Sequence, residues 1–96
     1  PPGDYNGIYI EENEEAGIKI YPNPTKGKLY YNFEKNQTNT HISLVDISGK
    51  EIAIKIDYQN QSIEIPEFVN NGMYILSFMS NNKLVSKLIV LERWTK

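Results

Sequence analysis

Residues 72–91 read GMYILSFMSNNKLVSKLIVL, and this stretch decides the fold. Strand-like runs at residues 73–79 and 84–91 flank Ser80-Asn81-Asn82-Lys83. Asparagine tolerates the positive φ that tight hairpin turns require, so the Asn-Asn pair predicts a hairpin by mechanism rather than by polarity. Alternation sends Tyr74, Leu76 and Phe78 to one face, and Met73, Ile75 and Met79 to the other. In the returning strand Leu84, Leu88 and Val90 share one side, while Val85, Ile89 and Leu91 share the opposite one. Apolar residues on both faces predict a central strand pair. A loop of two residues or of three swaps which faces meet, so the register stays open at this level.

Upstream, short strands alternate with turn chemistry. Ile18-Lys19-Ile20-Tyr21 stops at Pro22-Asn23-Pro24, where missing backbone donors end any ladder. Asn23 precedes a proline and is held extended, and Gly27 supplies positive φ for the turn at Thr25-Lys26-Gly27. The next strand, residues 28–33, puts Leu29, Tyr31 and Phe33 on one face. After a polar connection, residues 40–47 carry Ile42 and Leu44 inward with Val45 and Ile47 opposite. Ser48-Gly49-Lys50 turns the chain, with Asp46 placed to accept a hydrogen bond from the turn's backbone. Residues 51–56 set Ile52, Ile54 and Ile56 against Glu51, Ala53 and Lys55, and residues 62–65 point Ile63 and Ile65 inward. The crossover from Pro66 to Gly72 is expected to plug the end of the fold with Phe68 and Val69. Residues 92–96 are expected to fray unless Trp94 finds a groove. Seven short strands at a spacing of about ten residues, with no helical period, predict an all-β antiparallel sandwich. Gly72-x-Tyr74 resembles the tyrosine corner of immunoglobulin-like domains.

The 96 residues make one domain. Residues 1–16 hold five acids and no base, while the remainder holds seven acids against ten bases. The first segment reads as a solvated acidic linker with strand character only at Ile8-Tyr9-Ile10, and residues 17–96 as the β-sandwich body. The acids from Glu11 to Glu15 lack the offsets of a calcium loop. A start at Pro1-Pro2 predicts a piece of a longer protein. A net charge of −2 points to neither nucleic acid nor a membrane surface. Apolar runs are far too short for a spanning helix, so direct membrane insertion is not expected.

Chemistry finds no constellation. His41 stands beside Ser43 on one strand face without a nucleophile elbow, and one histidine with no cysteine cannot make a zinc site. Glu51, Glu64 and Glu67 are scattered, and Gly27, Gly49 and Gly72 sit singly at turns rather than in a phosphate loop. No catalytic, cofactor-binding or metal residues are therefore expected. The aromatic set Tyr5, Tyr9, Tyr21, Tyr30, Tyr31, Tyr58 and Trp94 leaves a carbohydrate-binding module as the alternative, beside a plain structural spacer.

Four blocks in order carry a resemblance. Tyr21-Pro22-Asn23-Pro24 with Gly27, Asp46 with Gly49 and Lys50, Gly72 with Tyr74, and Lys87-Leu88-Ile89-Val90 together resemble the C-terminal sorting domains (type A) of the Bacteroidetes type IX secretion system. The resemblance implies a seven-stranded antiparallel immunoglobulin-like β-sandwich behind a secreted cargo domain. It implies recognition by the type IX machinery at the outer membrane, its shuttle included. It also implies cleavage upstream by a sortase-like peptidase that attaches the cargo to lipopolysaccharide at the cell surface, with the cut falling in the arm before Gly17. Continuation through Glu92 to Lys96 departs from family members that end soon after the last apolar strand. The turn residues Pro22, Pro24, Gly49 and Gly72 are explained by backbone roles alone, whereas the two-faced hairpin is expected either to serve as the surface the machinery binds or to be covered on both sides as plain core.

Overall fold

Alternation gives nearly every strand one apolar row, and those rows meet between two sheets. The computed structural model describes residues 17–33, 40–80 and 83–94. Its strands are β1 (Ile18–Tyr21), β2 (Lys28–Phe33), β3 (His41–Asp46), β4 (Glu51–Ile52), β5 (Lys55–Asp57), β6 (Ser62–Glu64), β7 (Gly72–Ser80) and β8 (Lys83–Leu91), with no helix among the described residues. One sheet has the order β1-β2-β6-β5 and the other β4-β3-β7-β8. Every strand pairing within them is antiparallel.

The rows expected inward at Ile42 and Leu44 and at Ile63 and Ile65 are buried, and the register left open in the terminal hairpin buries Leu76, Phe78, Val85 and Ile89. Leu29, Tyr31, Ile63 and Ile65 of the first sheet face Ile42, Leu44, Leu76, Phe78, Val85 and Ile89 of the second. Tyr31, Phe33 and Phe78 meet edge to face, with ring centroids 5.5–5.8 Å apart. Burying each large side chain of this row contributes about 1.5–3 kcal/mol, and the dry interior fixes which way each strand faces.

Several expectations need correcting. The described residues form eight strands rather than seven. The run at residues 51–56 divides, because β4 pairs with β3 in one sheet while β5 pairs with β6 in the other. The isoleucine alternation survives that switch: Ile52, Ile54 and Ile56 all pack against the core. The terminal hairpin is not a central pair, since β7 is internal but β8 forms the sheet edge. Val69 is buried as expected, but Phe68 is 80% exposed and plugs nothing. Ser80 pairs with Lys83, consistent with a two-residue turn; that turn itself, the linker at residues 1–16 and the connection at residues 34–39 lie outside the described residues.

Candidate recognition site

An edge strand exposes a row of unpaired peptide groups, and β8 manages that row in two different ways along its length. Over its C-terminal half the row is capped by the corner after β1. The Asn23 side chain donates to the Leu88 carbonyl (2.8 Å) and accepts from the Val90 N–H (2.9 Å). Thr25 continues the cap: its N–H donates to the Val90 carbonyl, and its carbonyl accepts from Glu92, both at 2.8 Å. Thr25 is fully buried, and its hydroxyl donates to the Lys28 carbonyl (2.7 Å) while accepting from the Gly27 N–H (3.1 Å). Both proline peptides of the corner, Tyr21–Pro22 and Asn23–Pro24, are cis. The Tyr21 ring stacks on Tyr30 at 5.9 Å.

Arg93 closes the same end of the molecule. Its guanidinium donates to the carbonyls of Lys26, Ile65, Pro66, Glu67 and Val69 at 2.8–3.3 Å. Its backbone N–H donates to the Asn71 side chain, whose amide donates back to the Arg93 carbonyl. A planar fork of donors suits five converging carbonyls; a lysine ammonium does not. Glu92 and Arg93 are thus tied down, contrary to the expected fraying, and residues 95–96 lie outside the described residues. Trp94 finds no groove: it is 84% exposed with the Lys26 ammonium 4.6 Å from its ring. Gly27 has φ +131°, and a Cβ there would lie 2.8 Å from an Arg93 nitrogen, so both conformation and space require glycine.

The turn at Asp46 is closed by its own carboxylate. One oxygen accepts from the Ser48 N–H, the Ser48 hydroxyl and the Lys50 N–H at 2.7–2.9 Å, while the Gly49 N–H donates to the Asp46 carbonyl. The Ser48 hydroxyl first, then the backbone donors, hold the carboxyl below the usual range. Gly49 has φ +92°, the left-handed geometry this turn needs. Tyr74 donates its hydroxyl to the Asn70 carbonyl at 2.5 Å.

Outward from the core, the second sheet is apolar. Val45, Ile75 and Leu88 form one cross-strand row, and Met73 with Val90 forms the next. A hydroxyl pair, Ser77 with Ser86 at 3.0 Å, divides these from Met79 and Leu84. Met73, Met79, Leu84 and Ile47 are exposed, and Ile75, Leu88 and Val90 are half-buried. No helix among the described residues is long and apolar enough to cross a membrane, and no described cluster of His, Cys, Asp or Glu is placed to hold a metal.

The family model of the secretion system C-terminal sorting domain matches residues 19–92. The chain belongs to that family. No curated protein matches it. The sorting domain is a C-terminal secretion signal for type IX translocation, which implies interaction with that machinery and export across the envelope to the outer membrane or cell surface.

Within the sorting domain, the motif residues gather at one end of the second sheet. Asp46, Tyr74 and Ile89 lie in a single row, Gly72 pairs with Leu91, and Thr25 bridges Leu91 in parallel. Gly49 and Lys50 sit in the turn beyond Asp46, and Pro22, Asn23, Pro24 and Gly27 ring the exit of β8. Tyr21 is the outlier, on the outer face of the first sheet with Tyr30. Lys87 faces inward, in register with the buried Leu76. Sequence reasoning missed Thr25, Asn71 and Arg93. Only Arg93 carried a signal: it is a lone arginine among nine lysines.

Proposed function

We propose that the type IX machinery reads this domain on the outward face of the β7–β8 hairpin, with the Pro22-Asn23-Pro24 corner bracing β8 in register. The observation that carries the reading is the apolar surface of Val45, Met73, Ile75, Leu88 and Val90, which the core does not use. Aliphatic rows on a sheet that is already packed on its other side add nothing to the interior, so a partner is their economical explanation. The strand orders and the Tyr74–Asn70 bond support an immunoglobulin-like sandwich, with the split at residues 53–54 accounting for the eighth strand. In this reading the outer-membrane shuttle binds the hairpin, and the sortase-like peptidase cuts in the arm before Gly17 to release the fused cargo. The domain acts by being bound and carries no reactive centre.

Reporter fusion tests it. A reporter carrying this domain is exported by a host with a working type IX system and retained without one. Leu88→Asp, on the outward face, leaves the domain folded and blocks export. Ile89→Asp, at a fully buried position, unfolds it. A folded Leu88→Asp fusion exported at the parental rate overturns the proposal.

A further inference from the structure

The uncapped half of β8 offers a more specific reading, which rests on the hairpin being the recognised surface. In a strand, peptide groups of alternate residues point to the same side. The Leu88 carbonyl and both Val90 groups point toward the corner, so the N–H and C=O groups of Leu84 and Ser86, and the N–H of Leu88, point the same way. No described residue bonds to them. Asn23 ends the free stretch at one side and the hairpin turn ends it at the other, so that, among the described residues, positions 84–88 form a short open edge.

Lys87 lies within it, one residue from its Leu88 end. Its register partner Leu76 is fully buried, so its side chain leaves β8 on the core side between Val85 and Ile89. The way to water runs past the open edge, because β7 closes the other flank. A lysine stem covers apolar surface there and carries its ammonium to the rim. No carboxylate of the described residues is paired with it. An inward-pointing charge of this kind repels an apolar strand that would otherwise pair indiscriminately. It also favours one kind of visitor.

We infer that residues 84–88 of β8 accept one extended strand of a partner protein that places a carboxylate opposite Lys87. The residue directly across from Lys87 shares its face, at the close spacing of a pair with no mutual hydrogen bonds, so the incoming carboxylate meets the ammonium at the rim. Alternate positions of the visiting strand, opposite Leu84, Ser86 and Leu88, face outward and extend the apolar surface of the sheet. Main-chain bonds supply the attachment, and the Lys87 pair supplies selectivity.

A pair of short blocked peptides of alternating valine and threonine, one with a central glutamate and the other with a central lysine, serve as probes against the full chain. Amide shifts are expected at Leu84, Ser86 and Leu88, with the glutamate peptide binding about fivefold more tightly. Lys87→Glu inverts that preference and Lys87→Met abolishes it, with melting unchanged for Lys87→Met. Equal binding of both peptides, or shifts confined to other strands, overturns the inference. So does a Ser86 amide that is protected from exchange in the free chain and released by Ile10→Pro, which would make the acidic arm the occupant. The two readings fail separately. Normal export of folded Leu88→Asp removes the hairpin reading; blocked export with an unaltered peptide preference in Lys87→Glu removes only this one.

Discussion

The Asn23 side-chain amide stands where a neighbouring strand's peptide would stand against Val90, donating to the Leu88 carbonyl and accepting from the Val90 N–H. One side chain thereby ends the open edge of β8 and ties the end of β1 to the other sheet.

Asn23→Ala removes both bonds and is expected to lower stability by about 1–2 kcal/mol, read as a drop in the urea midpoint at constant m-value. Asn23→Asp keeps the acceptor for Val90 but sets a negative charge against the Leu88 carbonyl, and is expected to be no better than alanine.

Gly27 and Arg93 are predicted to be coupled. Gly27→Ala drives a Cβ into the guanidinium at a φ that alanine resists, costing about 2 kcal/mol or more. Arg93→Ala leaves carbonyls without a donor and costs about 2–3 kcal/mol, with Arg93→Lys recovering little of it. In the Arg93→Ala background Gly27→Ala costs less than it does alone, because the clash is gone and only the backbone strain remains. A double-mutant cycle by chemical denaturation measures the difference.

Asp46 makes stability depend on pH. Its carboxyl is held low, first by the Ser48 hydroxyl and then by the Lys50 N–H, so its native value lies below that of the unfolded chain. The unfolded state therefore binds the proton first as pH falls. The contribution is fully present above about pH 4 and is lost as pH drops through the native value. Asp57, held low first by the Asn60 side-chain amide, acts with the same sign. Melting temperature across this acid range should fall less steeply in Asp46→Asn, and least in Asp46→Asn combined with Asp57→Asn.

Tyr74→Phe deletes only the hydroxyl that bonds the Asn70 carbonyl while the ring stays in the core. A loss of about 1 kcal/mol is expected in denaturant titrations. Export should persist wherever the variant is folded, because this bond braces the crossover and presents nothing to a partner.

The alternating faces of the strands were legible beforehand, as was the turn at Asp46, whereas the face that the terminal hairpin buries was not. Ile42 with Leu44 and Ile63 with Ile65 are inward as alternation requires, and the Asp46 turn closes as its residue types predict, but that Val85 and Ile89 rather than Leu84 and Leu88 face the core came from the structure. Position within the sheet was not legible. β8 is two-faced in sequence, as a central strand would be, yet it lies at an edge: its inner residues fill the core, and its outer ones join the apolar surface. Phe68 misled for a related reason, since nothing local distinguishes a plug from an exposed anchor.

Residue alternation and turn chemistry act over a few neighbouring peptides, so the sequence by itself determined an all-β chain, the two faces of its strands and its family blocks. Strand order, the sheet switch after Ile52, the Asn23 cap on β8 and the convergence of carbonyls on Arg93 join residues far apart in the chain. Only the tertiary structure decided these, because a long-range hydrogen bond depends on where two segments meet and leaves no period in either one.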